Sequence, residues 1–61
     1  MIDLRTIRKE QGYTQQSLAN ESGVNRSTIA MIELHINNPS IETAKKLAKI
    51  LGFNWTLFFS N

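Results

Sequence analysis

The stretch that decides the fold is Thr14-Gln15-Gln16-Ser17-Leu18-Ala19-Asn20-Glu21-Ser22-Gly23-Val24-Asn25-Arg26-Ser27-Thr28-Ile29-Ala30-Met31-Ile32-Glu33. Thr14 offers its hydroxyl as the N-cap of a helix through about Glu21, with Leu18 and Ala19 turned inward. Gly23 closes that helix, since a residue without a Cβ enters the left-handed region at no steric cost. Asn25 caps a second helix that runs to about Leu34 and carries Ile29 and Ile32 on its apolar face. Two helices joined this tightly cross at a steep angle only under three conditions. The residue at the crossing must be small, the turn must hold a residue able to take positive φ, and the second helix must bury aliphatic groups against the first. Ala19, Gly23, Ile29 and Ile32 supply these features in order.

Outward from that pair, the remaining punctuation is regular. Asp3 to Gln11 is apolar at Leu4 and Ile7 with charge elsewhere, and Gly12 follows as its terminator. Asn37-Asn38-Pro39-Ser40 reads as a loop ending in a cap serine. Ile41 to Leu51 forms a helix with Ile41, Ala44, Leu47, Ala48 and Leu51 on one stripe, closed by Gly52. Asn54 caps a short terminal turn of helix holding Trp55, Leu57 and Phe58. Nothing alternates with period two over a strand's length, and the connections are a few residues long. The expected fold is all-α: five short helices in one compact domain over residues 1–61.

Composition narrows the function classes. A chain of 61 residues buries only about 60% of the surface its unfolded form exposes, which suffices for one small domain. With no Cys and a single His, His35, disulfides, thiolate metal sites and an imidazole cluster are all excluded, and no metal or cofactor is expected. There is no apolar run of about 18 residues, and the start Met-Ile-Asp-Leu-Arg lacks the layout of a secretory signal; a cytoplasmic location without membrane association is expected. The net charge of +2 permits a nucleic-acid partner without requiring one. Enzymatic activity is not expected, because the polar residues include no paired acids at a credible spacing. Four of the five aromatics, Phe53, Trp55, Phe58 and Phe59, fall in the last nine residues.

The ordered set Thr14-Gln15-Gln16-Ser17-Leu18-Ala19, Gly23-Val24-Asn25-Arg26-Ser27-Thr28-Ile29 and Ile32-Glu33 resembles the lambda-repressor/Cro-type helix-turn-helix, the xenobiotic-response-element class. The likeness extends to Arg8 and Gly12 upstream. Downstream it takes in Pro39-Ser40-Ile41-Glu42-Thr43-Ala44 and Leu47-Ala48-Lys49-Ile50-Leu51-Gly52. The motif proper spans about residues 14–34. The resemblance implies a lambda-repressor-like fold and sequence-specific binding of double-stranded DNA by a transcriptional regulator of the repressor kind. The second helix of the motif would lie in the major groove while the first crosses the backbone.

Carried over residue by residue, the reading helix is Asn25 to Leu34. With Ile29 and Ile32 facing in, its outward positions are Arg26, Ser27, Ala30 and Met31, the expected base contacts. A guanidinium at Arg26 can grip guanine O6 and N7, which discriminates by about 1–3 kcal/mol. A positive charge at a helix N-terminus is locally unfavourable, which argues for a functional reason to keep it. Ala30 and Met31 depart from the polar residues common in the family and can touch a thymine methyl. The resemblance places phosphate contacts at Gln15, at the start of the first motif helix, and in the loop at Asn37 and Asn38. Asn37 stands where a basic residue is usual, and His35 where a glycine is usual. His35 is expected to end the helix. Arg5 and Lys9, on the outer side of the first helix, are within reach of flanking phosphates. Arg8 and Glu33 match a family ion pair tying the first helix to the reading helix, a structural assignment.

If Arg5, Lys9 and Arg26 each met a phosphate, one copy would neutralise about three, for a log-log salt slope of roughly −3. That is little for tight specific binding, and family members bind as two-fold dimers. A homodimer is therefore expected, with Trp55, Phe58 and Phe59 at the subunit contact. The alternative is a helix-turn-helix fold reused as a protein-interaction module, such as an antirepressor. Apolar Ala30 and Met31 and the mild net charge favour it. Either reading leaves room for a regulatory protein partner.

Overall fold

Every α-helix starts at a side chain that stands in for a missing backbone partner. The computed structural model describes residues 2–59. Asp3 accepts from the Thr6 N–H at 3.1 Å and opens α1 (Leu4–Glu10). Thr14 and Ser17 form a reciprocal capping box that opens α2 (Gln15–Ser22). Asn25 accepts from the Ser27 N–H at 2.8 Å at the head of α3 (Arg26–Glu33). Ser40 does the same for the Thr43 N–H at the head of α4 (Ile41–Leu51). Each such cap stabilises its helix by about 1 kcal/mol, which matters for helices of seven to eleven residues that are too short to persist alone.

The turn between α2 and α3 requires its glycine: Gly23 sits at φ 75 and its N–H returns to the Ala19 carbonyl at 2.9 Å. That reversal drops Val24 into the core and sets α3 across α2. The core is built from Leu18, Ile29, Ala44 and Leu47, all fully buried, with Leu4, Ile32, Leu51 and Phe58 around them. α2 packs on both α3 and α4, and α1 lies against α3. Gln11, just past α1, donates its amide to the Leu51 carbonyl and ties α1 to the end of α4.

The expected five helices are four α-helices and one 3-10 helix, Trp55–Phe59, with no strand among the described residues. The fifth expected helix is corrected by its length and its bonding. Asn54 opens it, accepting from the Thr56 N–H through its side chain and from the Leu57 N–H through its carbonyl. In a 3-10 turn residues three apart eclipse, so Trp55 and Phe58 are presented on the same side, toward α4. Phe58 is only 4% exposed and its ring lies 5.4 Å from that of Phe53. Of the three aromatics expected at a subunit contact, Phe58 therefore sits in the chain's own core. Trp55 is half-buried, with the Lys45 Nζ 5.2 Å from its ring centre, and Phe59 is exposed, edge-on to Trp55 at 6.1 Å.

Candidate nucleic-acid interface

The outward side of α3 follows from what its other side must bury. Ile29 and Ile32 are inside, which leaves Arg26, Ser27 and Met31 exposed and Ala30 half-buried. Ser27, Ala30, Met31 and Leu34 recur at helical spacing and make one stripe. Arg26 opens the helix, directly after the Asn25 cap.

The electrostatics at the helix ends set α2 and α3 apart from α4. α4 carries Glu42 in its first turn and Lys49 in its last, each opposing the local end of the helix dipole. Neither α2 nor α3 has an acidic residue in its first turn. Their N-termini keep their partial positive charge, and the first residues of both helices line one cleft. Arg26 from α3, Gln15 and Gln16 from α2 and Lys9 from α1 line one open cleft there. An adjoining groove is walled by Arg5 and Lys9 of α1, Gln15 of α2 and Ala30 of α3. Arg5, Gln15, Arg26 and Ala30, which the sequence singled out separately, are thus brought onto one surface.

Beneath that surface lies a buried charged group. Arg8 Nε and Nη2 reach Glu33 Oε2 and Oε1 at 2.6 and 3.1 Å, and Nη1 donates to the Tyr13 carbonyl at 2.8 Å. The two side chains are 7% and 4% exposed. Gln15 joins them by donating its Nε2 to Glu33 Oε1 at 3.1 Å. Burial disfavours the charged form of Glu33. The hydrogen bonds from Arg8 and Gln15 and the charges of Arg8 and Arg5 outweigh that, so its carboxyl is held below the usual carboxylate range. The Glu33 hydrogen bond likewise raises Arg8, against the effect of burial. Gln15 therefore points one amide N–H inward, while the backbone N–H groups of Gln15 and Gln16 precede the first intrahelical bond, from the Leu18 N–H to the Thr14 carbonyl.

The loop after α3 folds back on the end of the helix. His35 takes φ 58 and ends the helix, as anticipated for that position. Ile36 and Asn37 then fold back, their N–H groups directed to the Met31 carbonyl at 3.0 and 3.5 Å. Asn37 spends a side-chain N–H on the Met31 sulfur at 3.1 Å. Asn38 is exposed beside the buried Pro39. Sequence reasoning passed over Leu34 and Ile36, which are 69% and 66% exposed. A signal existed: Ile36 would continue the Ile29 and Ile32 stripe, but the residue expected to stop the helix lies between them.

Among the described residues no cluster of three or more His, Cys, Asp or Glu is placed to hold a metal ion. No helix among them is long and apolar enough to cross a membrane.

The helix-turn-helix family profile matches residues 4–58 of this chain. The HTH-type transcriptional regulator YqaF of Bacillus subtilis is 38% identical over 58 residues, which cover 95% of this chain and 76% of that protein. The cryptic phage CTXphi transcriptional repressor RstR of Vibrio cholerae is 37% identical over 49 residues, 80% of this chain and 44% of that protein. Among solved structures, the N-terminal DNA-binding domain of SinR from Bacillus subtilis superposes with a TM-score of 0.85 at 30% identity. The overlay covers 95% of this chain and 86% of that one.

Proposed function

This chain belongs to the helix-turn-helix family of DNA-binding transcriptional regulators, and from that premise we propose that it acts as a repressor that lays α3 in the major groove of double-stranded DNA. The observation that carries this reading is the shared side of α2 and α3: two helix N-termini without acidic residues, with Arg26 and Lys9 beside them on one open cleft. A phosphate set there meets backbone N–H groups of α2 and a cationic side chain together. Arg26 and Ser27 address base edges, Ala30 and Met31 add apolar contact, and Arg5, Lys9 and Gln15 hold the flanking backbone. Asn38 faces solvent in the loop, within the region where a second strand of phosphates would run. Arg8 and Glu33 act from below, fixing α1 and Gln15 against α3 so that the contact groups keep their spacing.

Occupying a promoter with such a domain excludes other proteins from it, which is repression by simple occlusion. Two copies serve that end better than one. Arg5 and Lys9 neutralise about two phosphates per copy, which gives weak binding at physiological salt, and a two-fold pair doubles the number. Trp55 and Phe59 form the contact in this proposal, with Phe58 supporting them from the core. The soluble setting in which such a regulator meets DNA is the cytoplasm.

Selection of bound duplexes from a random pool, followed by fluorescence anisotropy with the selected sequence, tests the function. Enrichment of a motif with two half-sites about one helical turn apart is expected. A pool that never departs from random, with no salt-dependent binding to any duplex, contradicts it. That outcome favours the second reading, a protein-interaction module, for which the exposed Leu34 and Ile36 next to Met31 are the supporting observation.

A further inference from the structure

Met31 occupies the centre of the outward stripe of α3, yet it is not a free side chain. Its sulfur accepts a hydrogen bond from Asn37 Nδ2 at 3.1 Å. Its carbonyl receives the N–H of Ile36 at 3.0 Å, and the N–H of Asn37 is aimed at the same oxygen at 3.5 Å. The left-handed turn at His35, φ 58, brings Asn37 back over a residue six positions earlier. Thioethers are weak acceptors, and an exposed Met keeps three flexible bonds, so an unrestrained Met makes a poor reader because contact would have to freeze it. Here the sulfur holds a hydrogen bond before any partner arrives, and the terminal methyl lies beyond it. Met31 is still 41% exposed, and Ala30 beside it is half-buried.

We propose that Asn37 is a positioning residue that anchors the Met31 sulfur so that the Met31 methyl reads the C5-methyl of a thymine in the major groove. The proposal rests on the DNA-reading function given above. It assigns Asn37 a task on the base-reading side in place of a phosphate contact. The methyl group is the one major-groove feature of an A·T pair that an apolar tip can recognise, and Ala30 and Met31 together supply that tip.

The probe is the duplex selected by the full chain, together with a set in which one thymine at a time is replaced by uracil, which deletes the methyl and keeps the hydrogen-bonding edges. For the unaltered chain, one uracil position per half-site is expected to weaken binding about fourfold, the factor for losing one buried methyl. With Met31→Ala that position becomes indifferent. With Asn37→Ala the thymine preference falls below about twofold, while affinity for the uracil duplex stays near that of the unaltered chain. Met31→Leu keeps apolar bulk without the sulfur, and adding Asn37→Ala to it is expected to change nothing further. Thermal unfolding of each variant verifies that it is folded, and Asn37→Ser, which keeps a turn-forming hydroxyl but is too short to reach the sulfur, carries the test if Asn37→Ala is not. An Asn37→Ala loss equal on thymine and uracil duplexes overturns the positioning role in favour of a phosphate contact. Salt-dependent binding with no uracil effect at any position overturns the methyl reading and leaves the proposed function standing. Failure to bind or select any duplex overturns both.

Discussion

Glu33 is where one residue carries the most structural consequence. Its carboxylate is nearly sealed from solvent and meets Arg8 through two hydrogen bonds and Gln15 through a third. Removing one member of a buried pair leaves the other charged and without its partner, which costs about 3–5 kcal/mol. A chain of 61 residues has a total stability on the order of 3–9 kcal/mol. Arg8→Ala is therefore expected to leave much of the protein unfolded at 37 °C, as circular dichroism would read. Replacing both, Arg8→Met with Glu33→Leu, is expected to recover most of the loss. The pair also sets a pH dependence. Because the folded-state pKa of Glu33 is lowered, its contribution is fully present above the unfolded carboxylate value of about 4.3 and is lost as pH falls through the folded value. Urea midpoints measured from about pH 6 downward should fall less steeply in the apolar double variant. Identical slopes in the two proteins would show that Glu33 contributes nothing to the acid limb.

At the scale of elements, the turns and caps were the most legible part of the chain. Asp3, Thr14, Asn25 and Ser40 each carry a short oxygen at the point where a helix begins, and each accepts a backbone N–H there. Thr14→Ala is expected to lower stability by about 1 kcal/mol in thermal unfolding, as it removes the hydroxyl that accepts from the Ser17 N–H while the Thr14 backbone N–H keeps its bond to the Ser17 hydroxyl. His35→Gly is expected to act in the other direction. A non-glycine residue at φ 58 bears a left-handed penalty, and relieving it should stabilise by about 0.5–1 kcal/mol net of the entropy glycine adds to the unfolded chain. A fall in melting temperature would show that the His35 side chain supports the turn. What the sequence did not reveal are contacts between elements. Gln15 looked like a solvent-facing contact and has one N–H committed to Glu33, because only the crossing of α2 and α3 brings residues 15 and 33 together. Asn37 looked like a loop former or phosphate ligand and is bonded to a sulfur, because the fold-back after His35 has no signature beyond His35 itself. The terminal aromatics formed one compositional group, and 3-10 geometry divided them, sending Phe58 inward and leaving Phe59 out.

For the whole molecule, charge is placed more tellingly than its net value of +2 suggests. Two of the three cations of α4 are engaged in ordinary surface roles, Lys46 with Glu42 at 3.6 Å and Lys45 over Trp55. Arg26 and Lys9 instead flank the open N-termini of α2 and α3. If two copies bind together through Trp55 and Phe59, sedimentation equilibrium should show self-association that Phe59→Asp weakens while the fold survives, since Phe59 is on the outside. A chain that stays monomeric at high micromolar concentration, both alone and on DNA, would contradict the pairing. The central claim, that the side shared by α2 and α3 is the DNA-binding surface, is tested most directly by the salt dependence of duplex binding with and without Arg26. Anisotropy titrations of the selected duplex from about 50 to 200 mM salt should give a log-log slope of roughly −2 per copy, set by Arg5 and Lys9. Arg26→Ala should weaken binding by about 1–3 kcal/mol and relax selectivity at one base position. Unchanged affinity and selectivity in Arg26→Ala would place the binding surface elsewhere on the molecule.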